Sequence, residues 1–331
     1  MTLNVQGQGV AGELSQRLLE LGYDDPKVVE VRRLSGGASR ETWSFDLVDH
    51  DAPTGQRPMI LRRDPPGEPD AENMGREASA IAAAQRHGVP VPGLIDHGDG
   101  QSALGTPYLI MERVAGETIP RRILRDAQYE GARENLVTHL GRAAAAIHAI
   151  PLAEVPEAPT TDAIDTMWRR YTDSEVPRPV IDLAFRWLKD RRPKPVTPRL
   201  VHGDFRLGNV LVDPDGLTAV LDWELVHVGD PMEDLGYLSI RAWRFAGPHP
   251  VAGVGSFGDL FDAYVSAGGD APDPERVRWW QVAGTLTWGV AAITQANRHF
   301  RGTTRSVELA AIGRRVAEQE HDLLRMMDEE I

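Results

Sequence analysis

The chain of 331 residues contains no cysteine. Disulfides, zinc sites built on thiolates and a cysteine nucleophile are therefore excluded. Basic charge is also scarce, with 36 Lys and Arg against 49 Asp and Glu and a formal net charge of −13. An acidic surface argues against a general role in binding nucleic acids or anionic membranes, although a local basic pocket for phosphate stays compatible with it.

Long apolar runs are missing too. The longest apolar-leaning stretch, residues 279–296, is interrupted by Gln, Thr and Gly and is typical of a buried helix rather than a membrane span. The first residues, MTLNVQGQGVAGELSQ, lack the charged start and apolar core of a signal peptide. The cytoplasm is therefore the expected compartment. The length suits two lobes or domains, each with a core of its own.

Short apolar runs alternate with polar segments in residues 200–224, LVHGDFRLGNVLVDPDGLTAVLDWE. Its apolar runs predict strands, the polar segment after the first run predicts a loop, and Asp-Pro-Asp-Gly predicts a tight turn. This arrangement is expected to bring Asp204, Asn209 and Asp222 to the same end of a small sheet.

These three side chains suit phosphoryl transfer, which needs magnesium on the phosphates and a carboxylate to orient and deprotonate the attacking hydroxyl. Magnesium prefers oxygen ligands and keeps several waters, so one carboxylate and one amide are enough protein ligands. Asp204 fits the base, and Asn209 and Asp222 fit the ligands. Taken singly, each residue is more typical of a polar loop or a hairpin turn, but their combined spacing favours the catalytic interpretation.

The stretch HGDFRLGNVLV, followed by VLDWE, resembles the catalytic and metal-binding segments of the aminoglycoside phosphotransferase and choline kinase family. The family motif is His-Gly-Asp, four residues, Asn and a later Asp, and it is present without departure. The resemblance implies a small-molecule kinase with a protein-kinase-like fold that uses ATP and Mg²⁺. It implies Asp204 as catalytic base, and Asn209 and Asp222 as magnesium ligands.

A turn of small residues lies upstream, between two strand-like runs: Ser35, Gly36, Gly37, Ala38 and Ser39. By itself the turn is typical of an ordinary hairpin. Glycines allow backbone N–H groups to approach phosphate oxygens closely, however, and a nest of such groups binds anions. Its position upstream of the catalytic stretch therefore makes it the expected nucleotide loop.

The next predicted strand, residues 59–63, carries Arg62 where kinases of this kind usually have lysine. Arg62 departs from the aminoglycoside kinases, but arginine can hold phosphate bidentately and keeps its charge. On the predicted helix at 72–86, Glu77 is the expected partner of Arg62, and Glu72 is the alternative.

The resemblance also implies that a strand at 106–114 leads into the linker between the lobes. The backbone of Glu112 and Val114 would then read adenine. Met111 would line the back of the pocket, although a methionine in this position is equally typical of core.

After Asp222 the chain reaches a predicted helix within roughly a dozen residues, which leaves no room for the peptide platform of a protein kinase. A small-molecule acceptor is therefore favoured. Asp230 and Asp234 are expected to cap that helix and brace the loop rather than react.

Cations mixed with aromatics occur in two later segments, and they place Arg241, Arg244 and Arg298 as candidate contacts for an acceptor with phosphate or carboxylate. Solvated helix ends are the alternative. The segments WRF and LRRDPPG resemble the hydroxyacyl-CoA kinase-like branch of the family, which also favours an anionic acceptor.

The expected fold is α+β and two-lobed. Residues 1–113 form a nucleotide-binding lobe on a mostly antiparallel sheet, and residues 114–331 form a mainly helical lobe for catalysis and the acceptor. Helices are predicted in this second lobe at 131–150, 162–173, 179–191, 234–244, 256–267, 274–299 and 303–328. A pseudokinase that acts through partners is the alternative function, and the intact catalytic motif argues against it.

Overall fold

A computed structural model describes residues 5–34, 40–49, 52–65 and 67–328. The chain forms two compact units. Unit 1 comprises Met1–Ala115, Ala153–Glu157 and Thr218–Glu224, and unit 2 comprises Gly116–Leu152, Ala158–Leu217 and Leu225–Ile331. The chain thus returns to unit 1 twice, and the second return carries Asp222.

Unit 1 is built on a five-stranded sheet with two helices. The elements are α1 (Val5–Glu20), β1 (Val28–Arg33), β2 (Glu41–Val48), β3 (Gln56–Arg63), α2 (Ala71–Arg86), β4 (Leu94–Asp99) and β5 (Pro107–Glu112). The strand order is β1-β2-β3-β5-β4, and every neighbouring pair is antiparallel.

The core of unit 1 decides which way Arg62 faces. Leu14 of α1 packs with Phe45 and Leu61 of the sheet, and all three side chains are fully buried. Successive side chains of a strand point to opposite faces, so Arg62 projects from the face opposite Leu61. Glu77, on the buried side of α2, meets it there.

The return of the chain at Thr218–Glu224 is held within unit 1 by backbone contacts. The Val220 N–H donates to the carbonyl of Pro90 at 2.8 Å, and the amide of Asn73 donates to the carbonyl of Glu224 at 3.0 Å. These bonds flank Asp222 on both sides. Its position in unit 1 is therefore set by the tertiary fold and not by the turn that precedes it.

Unit 2 is mainly helical. Its helices are α3 (Pro120–Arg125), α4 (Glu130–Ala149), α5 (Ala163–Ser174), α6 (Pro179–Asp190), α7 (Met232–Leu238), α8 (Phe257–Ser266), α9 (Pro274–Phe300), α10 (Val307–Arg314) and α11 (Val316–Asp328). Its strands are β6 (Arg199–Val201), β7 (Val210–Asp213), β9 (His227–Gly229) and the first residues of β8 (Gly216–Val220). The prediction of an antiparallel sheet followed by a mainly helical part is confirmed.

Two predicted helices of unit 2 were wrong in extent. The helix expected at 234–244 ends at Leu238, because the Ser239 hydroxyl donates to carbonyls of the preceding turn and Ile240 is extended. A separate 3-10 turn, Arg241–Arg244, follows. The helix expected at 303–328 is divided into α10 and α11, and it begins only after the Ser306 N-cap.

The long helix α9 is the centre of unit 2, where it packs against α5, α6, α7, α10 and α11. The apolar-leaning stretch 279–296 lies inside it, and its residues are largely buried, as predicted. In the described part of the chain, no helix combines the length and the apolar character that crossing a membrane requires.

Candidate functional site

The candidate catalytic loop of unit 2, residues 202–209, runs from the end of β6 to the start of β7. Oδ1 of Asp204 accepts a hydrogen bond from Nε of Arg206 at 2.9 Å, and Oδ2 accepts one from Nδ2 of Asn209 at 2.5 Å. The structure therefore brings Asp204 and Asn209 together as expected. Because the amide nitrogen of Asn209 faces Asp204, its carbonyl oxygen faces away and presents the oxygen donor that a hard cation prefers.

The loop backbone is held by Asp234, which is fully buried. Its carboxylate accepts the N–H of His202 at 2.9 Å and that of Gly203 at 3.0 Å, and Nε2 of His148 lies 3.0 Å away. Burial alone would raise the pKa of Asp234, but His148 and the loop amide outweigh it and lower that pKa. Asp234 thus braces the His-Gly-Asp turn through its backbone.

Gly203 occupies a backbone position that only glycine fits. Its φ is +79°, and a Cβ there would lie 2.5 Å from the carbonyl oxygen of Leu225 and 3.1 Å from Nδ1 of His227. The His-Gly-Asp turn therefore packs directly on the chain that leads into β9. Without a side chain at Gly203, the loop approaches this segment closely enough to fix Asp204.

The residues that surround the Asp204 carboxylate were not predicted from the sequence. Arg206 lies over the ring of Trp243, 4.7 Å from the centroid, and the Tyr237 ring is 5.7 Å from that of Trp243. Burial and then the charge of Asp204 raise the pKa of Tyr237 well above its ordinary value, so its hydroxyl keeps its proton and can donate to Asp204. Arg206 and Tyr237 thus hold the carboxylate that is expected to act as base.

In unit 1, Arg62 lies between two carboxylates. Its Nη1 is 2.5 Å from Oε1 of Glu77, and its Nη2 is 2.8 Å from Oδ1 of Asp222. The expected pairing of Arg62 with Glu77 rather than Glu72 is present. Since Glu77 is fully buried, the guanidinium is held in place from the core side.

A second buried arginine, Arg40, completes this network and was missed by sequence reasoning. Its Nε is 3.0 Å from Oδ1 of Asp64, its Nη2 is 2.5 Å from Oδ1 of Asn73, and its Nη1 pairs with Glu77. Arg40 thereby ties the start of β2 to α2. The expected phosphate loop, Ser35, Gly36, Gly37, Ala38 and Ser39, directly precedes Arg40 and lies outside the described residues.

The surroundings of Asp222 suit a cation. Asp222 has a left-handed backbone with φ of +66°, which asparagine and aspartate tolerate better than most residues. Burial, and then the charge of Asp222, raise the pKa of Glu224, so a cation bound beside Asp222 would favour the charged form of Glu224. No group of three or more His, Asp or Glu side chains is gathered for a metal within the described ranges. A magnesium ion nevertheless needs only one or two protein oxygens, and Asp222 fits such a role.

The residues expected at adenine lie at the end of β5. Met111 is buried, and the N–H of Glu112 donates to the carbonyl of Gly93 at 2.8 Å. Any contact of the Glu112 backbone with adenine therefore falls to its carbonyl oxygen. Val114 follows the strand, and its role stays a prediction.

The three arginines expected at the acceptor are not all together. Arg241 and Arg244 lie in one 3-10 turn and line the same cavity. Arg298 lies in the last turn of α9, outside the lining of that cavity, and its Nη2 is 3.4 Å from Oγ1 of Thr304. The structure thus joins two of the three residues and separates the third.

Comparison with known proteins relates the chain to phosphotransferases. The sequence profile of the phosphotransferase enzyme family, APH, matches residues 30–280. Acyl-CoA dehydrogenase family member 10 of Mus musculus is 30% identical over 251 residues, which cover 70% of this chain and 22% of that protein. Viomycin phosphotransferase of Streptomyces vinaceus is 30% identical over 161 residues, which cover 45% of this chain and 55% of that enzyme. The matched part is less than two thirds of the length of each relative.

Solved structures share the fold. A candidate aminoglycoside phosphotransferase of Ralstonia eutropha JMP134 has a TM-score of 0.71 and 20% identity and covers 99% of both chains. The GDP complex of a mutant aminoglycoside 2'-phosphotransferase-IIIa has a TM-score of 0.67 and 16% identity over 94% of this chain and 98% of that one. A ternary complex of APH(4)-Ia with AMP-PNP and hygromycin B has a TM-score of 0.62 and 18% identity over 96% and 97%. The kinase-like fold predicted from the sequence is confirmed.

Proposed function

Because the chain belongs to the phosphotransferase enzyme family, we propose that it transfers the γ-phosphoryl group of ATP, with Mg²⁺, to a hydroxyl of a small molecule. The observation that carries this proposal is the setting of Asp204. Its two carboxylate oxygens accept from Arg206 and Asn209, so the carboxylate is oriented before any acceptor arrives. A fixed carboxylate is what general-base catalysis on a hydroxyl requires.

In the proposed reaction the carboxylate of Asp204 accepts the proton of the acceptor hydroxyl. The hydroxyl oxygen forms a new bond to the γ-phosphorus, and the bond from that phosphorus to the bridging oxygen breaks. ADP leaves with the electron pair of the broken bond. Arg206 and Tyr237 keep the carboxylate in place while its proton count changes.

The nucleotide is assigned to residues of unit 1. Arg62 is proposed to bind the phosphates, because its guanidinium is charged at every working pH and is held by buried Glu77. Ser35 to Ser39 are proposed to cover the phosphates. Met111, the carbonyl of Glu112 and the backbone of Val114 are proposed to contact the base.

Magnesium is assigned to the carbonyl oxygen of Asn209 and the carboxylate of Asp222. When bound, it neutralises charge on the phosphate oxygens. Arg62 already engages Oδ1 of Asp222. Asp222 would then hold the ion through Oδ2, or Arg62 would move from the carboxylate onto a phosphate.

A small acceptor is supported by the short path from Asp222 to α7, which begins at Met232. A hydroxyacyl-CoA or another anionic alcohol is the acceptor class that we favour. The names of similar proteins also refer to small molecules: one is a viomycin phosphotransferase, and the structure of APH(4)-Ia contains hygromycin B. The alternative is a nucleotide-binding pseudokinase that acts through partners.

The test is acceptor-dependent release of ADP from MgATP, measured with hydroxyacyl-CoAs, amino alcohols, sugars and aminoglycosides. Asp204→Asn is the variant of choice, because it keeps the size of the side chain and removes the base. We expect its turnover to fall by about a hundredfold or more, with MgATP binding retained. Unchanged turnover in Asp204→Asn would overturn the role of Asp204, and binding of MgATP without any acceptor-dependent release would favour the pseudokinase.

A further inference from the structure

Glu77 is shared by two arginines of unit 1. Its side chain is fully buried on the inner side of α2. Oε1 lies 2.5 Å from Nη1 of Arg62, and Oε2 pairs with Nη1 of Arg40. One well-placed cation already compensates a buried carboxylate for its lost hydration, so the presence of a second arginine has to be explained by something other than burial.

The two arginines differ in what else they contact. Nη2 of Arg62 lies 2.8 Å from Oδ1 of Asp222, the carboxylate assigned to the metal. The other nitrogens of Arg40 contact residues of the interior: Nε is 3.0 Å from Oδ1 of Asp64, and Nη2 is 2.5 Å from Oδ1 of Asn73. The side chain of Arg40 is 5% exposed and that of Arg62 is 15% exposed. Arg40 is thus the more firmly enclosed cation of the two.

The partners of Arg40 also hold the start of α2. Oδ2 of Asp64 accepts the N–H of Asp70 at 2.7 Å, and the carboxylate of Asp70 caps the helix by accepting the N–H of Asn73 at 3.0 Å. Nδ2 of Asn73 donates to the carbonyl of Glu224 at 3.0 Å. Through these contacts Arg40 fixes the first turn of α2 and reaches the segment that returns to unit 1.

The second cation on Glu77 matters at the moment when Arg62 binds a phosphate. If Arg62 were the sole partner of Glu77, movement of its guanidinium toward a phosphate would leave a buried carboxylate uncompensated, which is strongly unfavourable. Arg40 keeps a cation on that carboxylate throughout. Arg62 can therefore exchange Asp222 for a phosphate oxygen without leaving Glu77 unpaired.

We propose that Arg40 is a positioning residue for the nucleotide. It holds Glu77 and α2 in place, and it supplies the constant countercharge that allows Arg62 to bind the phosphates of ATP. Arg40 also directly follows residues 35–39, the proposed phosphate loop, so the chain leaves that loop at a residue whose side chain is buried. The inference rests on the proposed function, because it concerns how Arg62 meets a nucleotide.

Arg40→Lys is the test variant, because lysine keeps the positive charge but lacks the planar fork that contacts three partners at once. Arg17→Lys is the matched control: Arg17 lies on α1 of the same unit and binds Asp96 through two nitrogens, at 2.9 and 3.2 Å. Asn73→Ser is a milder second variant, since it removes the contact to Nη2 of Arg40 from a partly exposed side chain.

Titration calorimetry on the full chain measures the binding of MgATP. We expect Arg40→Lys to bind MgATP about tenfold more weakly than the wild type, and Asn73→Ser about threefold more weakly. Arg17→Lys should bind MgATP as the wild type does, although its melting temperature falls as well. Equal MgATP affinities in Arg40→Lys and Arg17→Lys would overturn the proposal.

A double-mutant cycle with Arg62→Met tests whether Arg40 acts through Arg62. In the Arg62→Met background, Arg40→Lys should change the MgATP affinity by less than about twofold, because the residue that Arg40 positions is gone. Losses of affinity that simply multiply would show that Arg40 acts independently of Arg62, and would overturn the proposal. If Arg40→Lys does not fold, Asn73→Ser takes its place in the same cycle.

The wild type separates this inference from the proposed function. If the wild type fails to bind MgATP, the proposed function falls and the inference falls with it. If the wild type binds MgATP and the variants of Arg40 and Asn73 bind it equally well, the inference alone is overturned. With an active acceptor, Arg40→Lys should raise the KM of ATP and leave the KM of the acceptor unchanged, whereas an equal rise in both would reveal a general loss of structure and contradict the positioning role.

Discussion

Nη2 of Arg62 lies 2.8 Å from Oδ1 of Asp222, a residue 160 positions later in the chain. This ion pair joins the cation assigned to the phosphates with the carboxylate assigned to the metal, inside unit 1. Each charge reduces the desolvation cost of the other. A nucleotide with its magnesium brings both opposite charges at once, so it can replace this pair without leaving either side chain uncompensated.

Arg62→Met should weaken binding of MgATP by about ten- to a hundredfold, because a charge-assisted contact to phosphate is lost. Titration calorimetry measures the effect. Arg63→Met is a matched control on the same strand, since Arg63 is equally buried and pairs with Glu13 and Glu41 instead. Equal losses of MgATP affinity in both variants would show that Arg62 acts only through stability.

Arg206→Lys should lower kcat by about ten- to a hundredfold with little effect on the KM of ATP. Lysine keeps the charge but loses both the Nε contact to Asp204 and the planar packing on Trp243. Steady-state kinetics with an active acceptor measure the split between kcat and KM. A kcat within twofold of the wild type would exclude a positioning role for Arg206.

Gly203→Ala should lower the free energy of unfolding by about 2 kcal/mol or more, since the left-handed backbone alone costs an alanine about 1–2 kcal/mol. The added Cβ also meets the carbonyl oxygen of Leu225 at 2.5 Å. Urea unfolding and ADP release measure stability and activity. Gly258→Ala in α8 is the control, because its nearest outside atom would be 3.7 Å away, and it should leave activity unchanged.

The stability of the wild type should fall between pH 6.5 and about 9. Burial lowers the pKa of His227, but Glu233 at 3.2 Å outweighs it and raises that pKa from 6.5 to about 9. The folded chain thus holds a proton that the unfolded chain has lost in this window, so this contribution is complete below pH 6.5 and disappears as pH rises through 9. Its size is on the order of 2–3 kcal/mol.

His227→Gln isolates this contribution from other titrating groups. Urea unfolding at pH 6.5 and pH 9 should show a smaller loss of stability in the variant than in the wild type. Parallel pH profiles for the two proteins would contradict the assignment of the titration to His227.

The sequence by itself determined those parts of this protein in which the contacting residues lie close together along the chain. Asp204 and Asn209 are five residues apart, and their contact is made inside one loop whose turn residues fix its path. The pair of Arg62 and Glu77 spans 15 residues across one strand and the following helix, and the resemblance to kinase-like proteins implied it. The α+β fold and the family followed from the resemblance that the short segment around Asp204 and Asp222 carries.

The tertiary structure alone decided the rest. Arg40 and Tyr237 carry no local signal for their roles, because these depend on which face of a neighbouring element they meet. The cavity lined by Arg241 and Arg244 joins three segments of unit 2, and the contact between Arg241 and Asp322 spans 81 residues. The packing of α7 and α11 on α9 sets such contacts, and small changes in helix angle or register would move them by several ångströms. For this reason the sequence proposed Arg241, Arg244 and Arg298 alike as acceptor contacts, whereas the fold places only Arg241 and Arg244 at one cavity.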